Sequence, residues 1–134
     1  MFTTELSVKK LLTKNPTYQL MSPLIWKDKV GEIEVPAKFV YNGASSPYLL
    51  RWLVPAMGKL YDRSVGLHDW LYSTRLLPRK VSDRLFYKGM RSDGVSLVVA
   101  KGMYLAVRLF GRGRYKAATE AQRKALLSLL SKQQ

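Results

Sequence analysis

The spacing of apolar residues changes from strand-like to helical near Ser46, and that change decides what the chain can fold into. From about residue 16 to 45 the chain reads as strand; from Ser46 apolar side chains recur every three or four residues. In GEIEVPAKFVY, Ile33, Val35 and Ala37 share one parity and Glu32 and Glu34 the other, as on a half-buried strand. TYQLMSPLIW, ending at Trp26, is a second strand-like run, and Asp28-Lys29-Val30-Gly31 reads as the turn between them. Pro23 and Pro36 cannot donate to a ladder, so these strands belong at an edge or a bulge. Asn42-Gly43 ends the region with turn chemistry. Residues 1–15 read as an amphipathic lead-in with a short helix at Glu5–Leu12.

The helical half is well punctuated. Ser46-Pro47 is an N-cap followed by proline at the first helical position, opening a short helix through Tyr48–Val54. Asp62 can cap a helix over roughly 63–76. Pro78 stands before another, over roughly 79–91, which Ser92-Asp93-Gly94 closes. A third runs over 95–110 and stops at Gly111-Arg112-Gly113. Thr119 and Gln122 have capping-box spacing and open a last helix to about Leu130. The predicted fold is α+β in one domain over 1–134: the lead-in, a small N-terminal β-hairpin or sheet within 16–45, then a bundle of four to five helices within 46–131. The length of 134 residues and a hydrophobic content of 47% support a real core.

Composition narrows the chemistry. There is no cysteine, which excludes disulfides, thiolate zinc sites and a cysteine nucleophile. MFTTELSVKKLL lacks a long apolar core, so no secretory signal is expected. The net charge of +14 favours anionic partners: nucleic acid, lipid headgroups or an acidic protein surface. VSLVVAKGMYLAVRLF, residues 95–110, falls short of the ~20 residues of a membrane span and is interrupted by Lys101 and Arg108. It reads as a buried helix, with interfacial membrane contact as the alternative.

The single histidine lies in GLHDWLY, residues 66–72, beside one of only nine acidic residues. His68 shares a helix face with Leu71 and Tyr72, and Asp69 lies on that of Val65 and Tyr72. On the next helix Asp83 lies on the stripe of Phe86, Tyr87 and Met90. A short Leu76-Leu77-Pro78 connection packs consecutive helices antiparallel, which lets Asp83 reach His68. A His–Asp bond would offset the cost of burying Asp83, fix the imidazole tautomer and raise its basicity, as a general base needs. Asp69 points about 100° away on the helix and needs a cation of its own, an arginine or a metal. The plainer alternative is a satisfied structural histidine.

Other features carry less. Ser45 and Ser46 lack a nucleophile elbow, and Ser46 has a capping role. Arg112, Arg114 and Lys116 form a compact basic loop that either touches phosphates or is a solvated turn. Tyr48, Trp52 and Trp70 line a groove or belong to the core.

FVYNGASSP at 39–47, GLHDWLY at 66–72, DRLF at 83–86 and AVRLFG at 106–111 together resemble a small uncharacterised family of phages, prophages and bacteria, the domain of unknown function 1353 type. Asn42 departs from it, standing where the family tends to have aspartate. The HDxxY of His68–Tyr72 is also similar to the active-site helix of secreted phospholipases A2. That resemblance implies His68 as base, Asp83 as its orienting carboxylate and Tyr72 as a further partner. It implies Asp69 as a calcium ligand, with backbone carbonyls of the Tyr41–Ser46 loop, Tyr41, Gly43 and Ser45 among them. Two functions follow as expectations. One is a phage-encoded hydrolase-like site, active or vestigial, working on envelope lipid during entry or lysis. The other is a non-enzymatic virion component of tail, connector or ejected core, docking on DNA or an acidic protein, within an oligomer. The expected location is the virion or the host cytoplasm or envelope.

Overall fold

The computed structural model describes residues 1–11, 17–29, 31–41 and 60–131. Five strands come first: β1 (Val8–Leu11), β2 (Thr17–Leu20), β3 (Leu24–Lys27), β4 (Glu32–Val35) and β5 (Val40–Tyr41). They form two small antiparallel sheets, one in the order β1-β2-β5 and one a β3-β4 hairpin. Five helices follow among the described residues: α1 (Asp62–Thr74), α2 (Arg79–Ser92), α3 (Leu97–Phe110), α4 (Arg112–Ala117) and α5 (Glu120–Ser131). The fold is α+β, as the change of period predicts.

The strand-like run TYQLMSPLIW splits in two. The chain bends at Met21-Ser22 before Pro23, and its halves enter different sheets. Trp26 lies opposite Ile33 across the hairpin, and Asp28 holds its turn: its Oδ1 accepts from the Gly31 amide at 3.3 Å and its Oδ2 from the Trp26 indole at 3.1 Å. Ala37 falls out of the alternation, because β4 stops at Val35 and the chain turns through Ala37-Lys38.

The lead-in helix expected at Glu5–Leu12 is absent among the described residues of that stretch. Val8–Leu11 is a strand, paired from Val8 opposite Leu20 to Leu11 opposite Thr17. Pairing with β2 overrides the local helix propensity of leucine and lysine. Residues 1–4 line β3, with the Thr3 amide donating to Ile25 O and the Lys27 amide to Met1 O, both at 2.9 Å.

Helix α1 is the axis of the molecule. Ser64, Thr74 and the whole run Gly66–Tyr72 are buried, because sheets cover one side and helices the other. Its sheet-facing side packs Leu67, Trp70 and Leu71 against Leu20, Leu24, Val35 and Phe39, with Trp70 edge-on to Phe39 at 5.2 Å. Trp70 is therefore core; Tyr48, Trp52 and the helix expected over Tyr48–Val54 lie outside the described residues. A second core gathers Phe86 and Met90 of α2 with Ala100, Met103 and Val107 of α3.

Helix ends follow local chemistry. Arg75 takes the left-handed conformation after α1, with its amide donating to Leu71 O. Thr119 and Gln122 form the expected capping box: each backbone amide donates to the other's side-chain oxygen, at 3.1 and 3.2 Å. Two expectations need correction. The 111–116 segment is not a loop but lies in the short helix α4 and the residue before it. The 95–110 stretch is not a buried helix either. In α3 only Ala100, Met103, Ala106 and Val107 are buried, because a single neighbouring helix pair covers one side of it.

Candidate functional site

The site is built where α1 and α2 run side by side. His68 and Tyr72 are one turn apart on α1, so both face the same point on α2, and that point is Asp83. His68 Nε2 lies 2.8 Å from Asp83 Oδ1, and the Tyr72 hydroxyl donates to the same oxygen at 2.5 Å. The imidazole is stacked on Phe86 at 4.6 Å and lies 4.1 Å from the Tyr72 ring. Asp83 is fully enclosed, whereas His68 keeps 7% of its surface open.

Asp83 has two further partners. Arg108 of α3 donates to Oδ2 at 2.9 Å, and Arg79, one turn before Asp83, lies 3.5 Å from the same oxygen. Arg79 also donates to the carbonyls of Val107 and Arg108 at the end of α3, so it ties that helix to the site. Burial alone would push the Asp83 carboxyl up; the hydrogen bonds from His68 and Tyr72, together with the His68 ring's charge and Arg108, outweigh it and hold it below the ordinary carboxylate value. Tyr72 moves the opposite way, upward, through burial and its bond to Asp83.

An ionised carboxylate only accepts hydrogen bonds. Nε2 must therefore carry the proton it shares with Asp83, and a neutral His68 presents a bare Nδ1. That is the tautomer a general base requires.

Asp69 points elsewhere, and its Oδ1 lies 2.9 Å from the Arg114 guanidinium of α4. Its Oδ2 is buried without a hydrogen-bond partner. Burial pushes the Asp69 carboxyl above the ordinary value, and Arg114 reverses this only in part. Such a carboxylate costs stability when ionised. Arg114 keeps 41% of its side chain exposed and can hydrate when released. Asp69→Asn is therefore expected to leave stability at pH 7 equal to wild type or up to ~1 kcal/mol higher, checked by urea unfolding.

The expected calcium set lies only partly within the described residues. Gly43 and Ser45 lie outside the described residues, and Tyr41 belongs to the β2–β5 ladder, opposite Tyr18. Among the described residues no three histidine, aspartate or glutamate side chains converge to hold a metal. Among the described residues, the position on Asp69 Oδ1 is taken by the Arg114 guanidinium. Of the three basic residues expected to meet a polyanion, Arg112 and Lys116 are exposed, whereas Arg114 is bound to Asp69.

A cleft of about 510 Å³ opens beside Tyr72. Phe39, Ala118, Ala125 and Leu126 give it apolar walls, and Arg114 and Gln122 stand in its lining. Gly111 closes the other flank of Tyr72. A Cβ there would fall 2.5 Å from Val107 O and 2.6 Å from the Tyr72 hydroxyl. Gly111→Ala should cost ~1–3 kcal/mol in thermal unfolding, since the backbone at Val107 cannot yield.

Arg79 and Arg108 were not anticipated from the sequence, nor was it legible that Arg114 is the arginine that pairs with Asp69. The first had a visible signal, a cation four residues before a buried aspartate; Arg108 stood out only as a charge interrupting an apolar stretch.

A family model described as a protein of unknown function, DUF1353, matches residues 18–107. The chain is 33% identical over 99 residues to an uncharacterized protein, y4jT, of Sinorhizobium fredii (strain NBRC 101917 / NGR234). That match covers 72% of this chain and 29% of the relative, so the chain spans under a third of its length. No solved structure matches. The matched segment contains His68, Asp69, Tyr72, Arg79 and Asp83; Arg108 and Arg114 lie just beyond it.

Proposed function

The chain belongs to the DUF1353 family of proteins of unknown function, and from the geometry of its buried site we propose that it is a hydrolase of lipid-like carboxylic esters with His68 as general base. The observation that carries this is the buried His68–Asp83–Tyr72 chain, in which an ionised Asp83 fixes the proton on Nε2. Water at Nδ1 gives up a proton to the ring as its oxygen attacks the ester carbonyl carbon. The resulting oxyanion collapses, the carbon–oxygen ester bond breaks, and the imidazolium returns the proton to the departing alkoxide. Arg114, which lines the cleft beside Tyr72 and pairs with Asp69, would offer its guanidinium to a phosphate entering that cleft. The apolar walls of the cleft suit an acyl chain. No step runs through a metal.

The test is hydrolysis of anionic phospholipid vesicles by the purified full chain, in calcium and in chelator. Turnover in both is expected. A wild type inactive in both overturns the reading.

One observation favours a second reading. Asp83 is held by two arginines as well as His68, and Asp69 by Arg114, which is how a purely structural polar core would be satisfied. The family resemblance to phage proteins and the +14 charge then support a virion component docking on DNA or an acidic protein. Its signature is an inactive wild type whose duplex-DNA affinity falls steeply between low and physiological salt, measured by fluorescence anisotropy.

A further inference from the structure

The outer face of α3 is apolar and, among the described residues, exposed. Five of the twelve large apolar side chains exposed among the described residues lie on this one helix: Leu97, Val98, Leu105, Leu109 and Phe110. Val98 is 81% exposed and Leu109 73%, more than a core helix would leave open. Val98, Leu105 and Leu109 stand at i, i+7 and i+11, so they form one lane along the helix. The opposite side carries Ala100, Met103 and Val107 into the core, so this orientation is fixed by packing.

We propose that this face seats the protein on an anionic lipid bilayer, with α3 lying in the plane of the interface. The surrounding charge selects that occupant. Residues 94–119 contain Lys101, Arg108, Arg112, Arg114 and Lys116 and no aspartate or glutamate. Arg108 and Arg114 are tied to Asp83 and Asp69, but Lys101, Arg112 and Lys116 are exposed. Lys101 sits within the apolar lane, where its stem can lie along the hydrocarbon while its ammonium reaches the headgroups. Lipid phosphates complement that charge. A second copy does not: each chain carries +14, and pairing the lanes would bring the Lys101 ammonium groups onto one interface. The helix is 14 residues, about 21 Å at 1.5 Å per residue, too short to span the ~30 Å hydrocarbon core. It can lie on a membrane but not cross it.

The proposal stands apart from the hydrolase reading, since it concerns another face of the molecule and is read by binding alone. The test is sedimentation of the full chain with vesicles of phosphatidylcholine, with and without phosphatidylglycerol. Wild type is expected to sediment with the phosphatidylglycerol vesicles and remain monomeric in solution. Leu105→Gln with Leu109→Gln should weaken that binding by about tenfold per leucine, with the melting temperature unchanged. Lys101→Gln should weaken it less and flatten its salt dependence. No sedimentation of wild type, or equal binding by the double glutamine variant, overturns the proposal. So does a wild-type dimer that the double variant dissociates, because the face would then belong to a second copy.

Discussion

Asp83→Asn is expected to lower the stability of the folded chain by ~3–5 kcal/mol in urea unfolding at neutral pH, the range found when one partner of a buried ion pair is removed. The side chain is fully enclosed and accepts from His68, Tyr72 and Arg108, with Arg79 close by. Asparagine is nearly isosteric, so the cost is electrostatic. Its amide nitrogen would face a donor, and two guanidinium groups would lose their counter-charge. Because these partners come from α1, α2 and α3, the loss should loosen all three helices together.

The same group sets an acid limit. The folded-state value of Asp83 lies below the unfolded one, so its contribution is complete above the unfolded value of ~3.9 and is lost as pH falls through the folded value. Asp69 has the opposite sign. Its raised value makes its contribution complete below ~3.9 and lost as pH rises through the folded value. Asp83→Asn should therefore remove part of the acid sensitivity of unfolding, and Asp69→Asn should steepen it. Urea titrations between pH 3 and 7 check both signs.

The two buried aspartates also show how far the sequence could be read. The His68–Asp83 contact was legible because both residues obey helix periodicity on antiparallel neighbours, whereas the Tyr72–Asp83 bond was expected only from the resemblance to the phospholipase A2 helix. That strands precede helices, and where the helices at 62–74, 79–92, 97–110 and 120–131 fall, was legible from period and caps. Arg114 was not, because its meeting with Asp69 depends on α4, which reads in sequence as a glycine-punctuated loop. Nor was β1, whose lysines and leucines favour a helix until β2 offers a ladder. The outer face of α3 was hidden for a different reason: an apolar run states that a helix can be buried, not how much of it finds a neighbour.

His68→Gln is expected to reduce hydrolysis of an anionic phospholipid ester by about 10²- to 10⁴-fold, the usual contribution of a general base. Glutamine can donate to Asp83 from its amide nitrogen, which keeps that carboxylate satisfied, but no amide takes a proton from water at neutral pH. The fold should then change little, apart from the stacking lost on Phe86 and Tyr72. Activity and stability thus separate in this one variant, and that separation distinguishes a base from a structural tie. Were His68 only a tie, wild type would show no turnover with or without calcium. The substitution would then register as ~1–3 kcal/mol of lost stability, through poorer satisfaction of a buried carboxylate. Turnover of a soluble short-chain ester provides the control, since it needs neither a bilayer nor the basic surface and should barely respond to salt. A wild type that hydrolyses that ester and a His68→Gln variant that melts normally but does not would leave proton abstraction at Nδ1 as the step the substitution removes.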